Sequence, residues 1–498
     1  MMKKNFQTKW FEKNWPLLVI LLIAILGIYF RLDLFLKNRS LWWDPAMLAV
    51  NLVDKSYHDL LLNSMDYNQS APAGYLLMQK FIGSFFNYTE YSLIISSFIS
   101  GILSILLVAF ISLKLLPRQV SFLPVLFIAF STSAIFYSTE LKQYSFDLFF
   151  TSLIFFSFIK VIKSGWTDRS LLVFTVFGLI STWFSFPSSI ILASASFSLI
   201  LIQIVKKQIN RRFLAISFFI GVLFLVNFVL NYIYFVHVNN FMFKYHSHGF
   251  VPHLLPLKDF LYWHTDMLKN YLLSPSGFSI IMSGLGILFL FVGLISLWRK
   301  QRDYFIFIVS VLFFVYLASA LGKYPVIAGT AEIKSRFTLY LIPFTYLLIA
   351  FGLYELLFKK YKIFYVFIIF ILTTSFFTQA VDRKKTYHRE ETRPLINFAQ
   401  RHKKENDKFI IYYASVPAFE YYTRDSKISY IKLQYHRKNS QEYITDLQKL
   451  DISGRTWILF SHVYKDEKDI IIDYVTKKST LLDYKKDIRS YLYLFEFD

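Results

Sequence analysis

The sequence predicts a polytopic α-helical membrane protein of about eleven transmembrane helices that carries a small C-terminal α/β soluble domain. Three observations predict it. Of the 498 residues, 55% are hydrophobic and 20% aromatic, and the mean hydropathy is +0.43. That composition belongs to a membrane protein. Charge is also unevenly spread, with 41 of the 87 Asp, Glu, Lys and Arg residues falling from Val381 onward, so the first 380 positions hold only 15 acids. Finally, the first 380 residues contain one long apolar run after another, whereas the last 118 do not.

A helix needs about 20 apolar residues to cross a hydrocarbon core of roughly 30 Å. Runs of that kind cover 16–36, 91–113, 119–137, 144–162, 171–186, 187–205, 213–236, 278–298, 304–321, 337–358 and 363–380, with the fifth and sixth divided at Phe186-Pro187. The first run has no small-residue cleavage site before it and reads as a retained helix. Basic residues in short loops stay cytoplasmic, which orients the chain. With the N-terminus inside, the inner segments hold 19 of the 31 basic residues before Val381, among them Lys114, Lys163, Lys206, Lys207, Arg212 and Lys300. The longer segments 37–90, 237–277 and 322–336 then lie outside, and so does the tail 381–498. The net charge of +21 is dispersed between apolar runs rather than gathered on one face, which argues against a nucleic-acid partner. With no cysteine, thiolate chemistry and Cys-based metal sites are excluded.

The tail changes pattern. Short β-rich runs at 409–413, 428–433, 456–461 and 491–497 alternate with helical stretches at 440–450 and 466–477. This reads as an α/β domain able to fold independently, with evenly mixed surface charge and no catalytic base.

Acids are scarce before the tail, so each one there is informative. In SLWWDPAMLAVNLVD, Asp44 stands before Pro45 and behind Trp42 and Trp43. It fits an N-cap starting an interfacial helix, and it also fits a general base at the lipid–water boundary. Asp66, Tyr67, Asn68 and Gln69 precede a Pro72/Gly74 break, either as an ordinary turn or as planar groups that hydrogen-bond sugar hydroxyls. The stretch STELKQYSFD packs Glu140, Lys142, Gln143, Tyr144 and Asp147 into eight residues, and a helix beginning near Leu141 places Gln143 and Asp147 on one face. Asp147 then lies one turn into a span and needs a partner or a wet cavity. Five of the ten histidines fall between His237 and His264, and 245–249 could ligate a metal, although the spacing matches no defined zinc motif. Glu332, Lys334 and Arg336 precede the tenth run, where Arg336 either snorkels or grips a phosphate.

These segments together resemble the GT-C superfamily, specifically the bacterial relatives of protein O-mannosyltransferases and aminoarabinose transferases (glycosyltransferase family 39). The matching pieces are SLWWDPAMLAVNL, DYNQSAPAGYLL, ELKQYSFD, the R-F-x-x-Y-L-x-P run from Arg336 to Pro343, and EETRPLINF and FIIYYASVPAFEYY in the tail. The resemblance implies an enzyme of the cell envelope that takes a hexose or pentose from a polyprenyl phosphate outside the cytoplasm. It would transfer the sugar, with inversion, to a protein, glycolipid or polysaccharide acceptor. It matches Asp44 and Asp147 to the family's two aspartates. It leaves room for a divalent cation without requiring one. Many relatives have Asp-Glu where Asp44-Pro45 stands, and a Lys where Ser70 precedes Ala71-Pro72.

In chemical terms Lys142 and Arg336 are the candidate cations for the leaving phosphate, and Asp44 is the candidate base. Asp147 would orient the acceptor or a metal. A transporter or lipid-linked-oligosaccharide flippase is the main alternative, but it would place its ionisable residues at the midplane of broken helices. A structural or sensory module presenting the tail leaves the loop carboxylates unexplained.

Overall fold

The computed structural model describes residues 2–245, 249–252, 255–326, 336–382, 389–426, 428–437 and 439–498. His246 and His248, on which the metal reading of 245–249 rests, and Glu332 and Lys334 lie outside them. The first half runs through α1 (Met2–Leu36), α2 (Trp43–Asp54), α3 (Tyr57–Leu62), α4 (Ala73–Phe85), α5 (Glu90–Leu115), α6 (Leu123–Phe130), α7 (Thr132–Tyr137), α8 (Tyr144–Ser164), α9 (Asp168–Phe184), α10 (Phe186–Val205) and α11 (Arg211–Tyr245). The bundle is completed by α12 (Leu257–Leu273), α13 (Ile280–Lys300), α14 (Arg302–Ala320), α15 (Ile342–Leu353) and α16 (Lys362–Val381).

Nine helices among the described residues are long and apolar enough to cross a membrane, two fewer than the eleven expected runs. The two remaining runs are helical but shorter. One is α9, at 17 residues. The other, 119–137, breaks at Ser131, whose extended backbone separates α6 from α7. Both still join opposite ends of the bundle. At one end Lys163 donates to the Lys114 carbonyl at 2.6 Å, Gln301 to that of Leu115 at 3.0 Å, and Arg212 pairs with Asp168 at 2.7 Å. At the other end Lys142 reaches Asp44, Trp183 donates to Asn227 at 2.8 Å and Tyr234 donates to the Ala71 carbonyl at 3.0 Å. The chain is therefore a multi-pass membrane protein, with basic loops at one end and the segments around 37–90 at the other.

The break at Ser131 leaves carbonyls without helical partners in a region that offers no water. Arg31 of α1, fully buried, supplies them. Its guanidinium donates to the carbonyls of Ala129 at 3.1 Å, Ile128 at 3.0 Å and Gly27 at 3.0 Å. A charge inside the bundle is thus spent on closing a broken helix.

The tail contains α17 (Arg393–His402), β1 (Lys408–Ile411), α18 (Val416–Thr423), β2 (Ile431–Lys432), α19 (Glu442–Lys449), β3 (Gly454–Ser461), α20 (Glu467–Val475), β4 (Ser479–Asp487) and β5 (Ser490–Phe497). They form one five-stranded sheet in the order β2-β1-β3-β5-β4, parallel from β2 to β3 and antiparallel beyond. Each face has its own core, around Tyr412 and Phe460 on one side and Trp457 and Phe419 on the other. The sheet is anchored to the bundle through α18, whose Ala418 and Tyr421 join a core shared with α2 and α4. Arg393 binds Glu90 at 2.6 Å and the Asn38 carbonyl at 2.6 Å, and Leu41 N–H donates to Tyr422 at 2.8 Å.

Two glycines let α13 and α15 cross in contact. A Cβ at Gly293 would fall 2.0 Å from the Leu348 carbonyl oxygen, and one at Gly352 would fall 2.0 Å from that of Phe289. Small residues serve this purpose in membranes, where packing drives helix association. Gly352→Ala is expected to force the helices apart at a cost of about 1–3 kcal/mol or more. A melting temperature of the detergent-purified variant equal to that of the parent would contradict this crossing.

Candidate active site

Helix α2 begins at Trp43, so Asp44 lies inside its first turn and Pro45 takes a place where no helical N–H is needed. The N-cap position belongs to Trp42, and no side chain caps the helix. The capping reading of Asp44 is therefore corrected. Its carboxylate faces the bundle instead, with Oδ1 2.9 Å from the Lys142 ammonium and Oδ2 accepting from Arg336 at 3.2 Å.

Each cation is fixed from a different element. Lys142 lies in the turn before α8 and also donates to Gln69 Oε1 at 2.6 Å. Arg336 opens a 3-10 turn over Arg336–Leu341, and its guanidinium lies over the rings of Phe337 at 5.3 Å and Tyr144 at 5.6 Å. Stacking of this kind suits guanidinium, which is weakly hydrated and planar. Burial alone would raise the Asp44 carboxyl, but Lys142 and Arg336 outweigh it and hold the group down at about 2.

Gln69 is aimed by a turn over Asp66–Asn68 in which Tyr67 and Asn68 are both left-handed, at φ 58° and 52°. That conformation is costly for a bulky residue and is held here by its surroundings. The Asp66 N–H donates to Asn51 at 2.7 Å, and the Asp66 carboxylate, largely exposed, lies 3.3 Å from Lys55. The Tyr67 hydroxyl donates to Glu420 of the tail.

The remaining expected residues divide. Glu140 is taken up structurally, bound by Arg39 at 2.6 Å and by the Trp42 indole at 2.7 Å. Asp147 is buried one turn into α8, and its Oδ1, like Gln143 Oε1 and Tyr340 Oη, has no hydrogen-bond partner among the described residues. Tyr144 lies within electrostatic reach of both aspartates, Asp44 and Asp147. Asp44, Gln69, Lys142, Tyr144 and Arg336 thus form one group, with Gln143 and Asp147 as a buried polar annex.

Sequence reasoning did not single out the tail's share of this site. The Trp43 ring lies 4.6 Å from the His462 imidazole, inclined by 30°, and the Arg437 guanidinium lies over it at 5.7 Å. Arg389 lies 5.0 Å over Trp42. His462 bonds Glu390 at 2.8 Å, a contact that outweighs burial and holds the Glu390 carboxyl low. The signal available was the exposed-looking Trp42-Trp43 pair, which needed a cover. Among the described residues no three His, Cys, Asp or Glu side chains gather to hold a metal ion.

Comparison with solved structures shows that the chain has the GT-C fold. It is similar to ArnT from Cupriavidus metallidurans in the apo state, with 9% identity, a TM-score of 0.56 and coverage of 97% of this chain and 98% of ArnT. It is also similar to the oligosaccharyltransferase AglB from Archaeoglobus fulgidus in complex with an inhibitory peptide and a dolichol-phosphate, with 13% identity, a TM-score of 0.52 and coverage of 97% and 74%. A second structure of the Archaeoglobus fulgidus oligosaccharyltransferase, with Zn and sulfate, gives 11% identity and a TM-score of 0.53 over 95% of this chain and 72% of that one. No protein-family model and no curated protein matches the sequence.

Removing the Asp44 charge leaves two buried cations facing one another. Asp44→Asn is therefore expected to cost about 2–5 kcal/mol. The native carboxyl titrates near 2 against about 3.9 unfolded, so its contribution is complete above pH ~4 and is lost as pH falls from there through 2. The melting-temperature gap between parent and Asp44→Asn should be constant above pH 4 and close below it. A gap independent of pH down to 2 would sink the assignment of an ionised Asp44.

Proposed function

We propose that this chain is an inverting glycosyltransferase that moves a hexosyl or pentosyl unit from a polyprenyl-phosphate donor to an acceptor on the extracytoplasmic membrane face. The observation that carries the reading is the convergence of Lys142 and Arg336 on one acidic side chain, at 2.9 and 3.2 Å, at the membrane end of the bundle. Two cations that meet on a carboxylate in the free protein are spaced to meet on a phosphate.

A route for the lipid supports it. A groove of about 300 Å³ between α10, α11 and α14 is walled by Phe186, Ile190, Phe314 and Leu317 and ends at Lys323 and Tyr324. The Tyr324 ring packs edge-on against Phe337 and Tyr340, the turn that Arg336 opens. A polyprenyl chain in this groove would bring its phosphate to the Arg336 end. The dolichol-phosphate in the AglB structure agrees with a lipid phosphate as the family of ligand.

In the reaction the acceptor oxygen forms a bond to the anomeric carbon from the face opposite the phosphate. The bond from that carbon to the phosphate oxygen breaks, and the electron pair leaves with the polyprenyl phosphate. Lys142 and Arg336 neutralise that phosphate, so a strong general acid is not needed. The acceptor proton goes to Asp44. A carboxylate held near 2 is a weak base, and the donor changes this by drawing both cations onto its phosphate and releasing Asp44 to higher basicity. Asp147 and Gln143, with unpaired oxygens, orient sugar or acceptor hydroxyls, while Gln69 follows Lys142.

Purified protein should consume a polyprenyl-phosphate sugar and release polyprenyl phosphate. Arg336→Met and Lys142→Met should each raise the donor KM about tenfold or more. Asp44→Asn should cut turnover about 10²-fold while binding donor at least as tightly as the parent, because its cations are already free. Near-normal turnover by Asp44→Asn would refute the base. Unchanged envelope glycoconjugates by mass spectrometry in cells lacking the chain, together with no donor consumption, would refute the activity.

A further inference from the structure

A large cleft lies at the end of the bundle away from Asp44. It holds about 760 Å³ between α9, α10 and α11, within the ~300–1,000 Å³ range of ligand sites. Its deep walls are Leu171, Phe174, Leu199, Ile220 and Phe224. Its mouth is polar and basic, formed by Lys206, Lys207 and Arg212 with the Trp166 indole beside them. No acid lines it. Between Lys160 and Arg212 the sequence holds seven basic residues against one acid.

The geometry separates charge from apolar depth as a lipid does. Helix α11 stands off the bundle, with only 6% of its most apolar window buried, so the cleft opens to the bilayer side. A gap between membrane helices that admits no water is filled by acyl chains. At the mouth, Lys206 pairs with Asp303 at 2.5 Å and Arg212 with Asp168 at 2.7 Å. The Arg212–Asp168 pair is strongly exposed and the Lys206 side chain is 44% exposed, and such pairs are held weakly enough to be shared with a second anion. Lys207, left-handed at φ 55°, has no acidic partner among the described residues. The Trp166 ring, in the loop between α8 and α9, packs edge-on against Phe213 beside the mouth, and indoles favour membrane interfaces.

We propose that this cleft binds one anionic phospholipid, its phosphate at Lys206, Lys207 and Arg212 and an acyl chain between α10 and α11. The site is independent of the transferase reading, because it lies at the opposite membrane face and its test measures binding. Basic clusters at the cytoplasmic boundary select anionic lipids by charge.

The test uses the full chain in detergent, titrated with dioleoyl phosphatidylglycerol or dioleoyl phosphatidylcholine and read by native mass spectrometry. One phosphatidylglycerol should be retained, half-saturating at about tenfold lower concentration than phosphatidylcholine. K206Q/K207Q/R212Q should abolish that preference. Gly221→Trp should block retention of either lipid, since an added Cβ there meets nothing within 4 Å and the ring can occupy the cleft. Should the triple variant fail to fold, Lys207→Gln, which breaks no ion pair, should still reduce the preference several-fold. Retained selectivity in these variants, or displacement of the lipid by millimolar inorganic phosphate alone, would overturn the proposal.

Discussion

The carboxylate of Asp44 is the point on which the site end of the molecule depends. It joins the first long loop, the turn before α8 and the turn before α15, which are otherwise far apart along the chain. Without it the two cations would face one another unneutralised, since burying an unpaired ammonium or guanidinium is strongly unfavourable. The carboxylate in turn is ionised because both cations are there. The three segments are thus held in register by mutual neutralisation, and Gln69 and the rings of Tyr144 and Phe337 fill the remaining sides.

Two buried charges elsewhere are likewise matched to partners. Arg31 closes the carbonyls freed at Ser131, and Glu140 accepts from Arg39 and Trp42. Asp147, Gln143 and Tyr340, like several bundle serines such as Ser112, Ser188 and Ser276, each keep an oxygen without a hydrogen-bond partner among the described residues. Buried oxygens of this kind are costly unless a ligand or water satisfies them.

Much of the helical architecture was legible because hydrophobic run length and loop charge are local properties. The crossings emerged near their expected bounds, and so did the tail helices at 440–450 and 466–477. The break inside 119–137 was not legible, because the group that satisfies its freed carbonyls, Arg31, lies 98 residues away in the sequence. Strand β4 was missed for a different reason. Its sequence STLLDYKKD lies at the sheet edge, mostly exposed, where charge replaces the alternation that marks a half-buried strand. In the site, Asp44, Lys142 and Arg336 could be nominated singly from residue type and membrane position. Their pairing could not, because ion pairs over 292 residues of sequence leave no periodic trace. The cover over Trp43 by His462 and Arg437 is likewise a product of domain docking.

The ion group also contains a tension that its chemistry must resolve. A carboxylate held at about 2 by two cations is a weak base, so the role proposed for Asp44 requires that both cations be drawn away from it. In the proposed reaction the donor's phosphodiester carries one negative charge, as the carboxylate does, and the departing phosphomonoester carries more, so the hold of Lys142 and Arg336 would strengthen as the bond breaks. Water does not compete for them, because it brings no charge. On the proposed reading, a carboxylate released only when a lipid phosphate is seated would not activate solvent in its absence, so the contacts that stabilise the fold would also suppress wasteful hydrolysis. Stability and selectivity at this end of the bundle therefore arise from one set of charges, and their balance changes only when a second anion arrives.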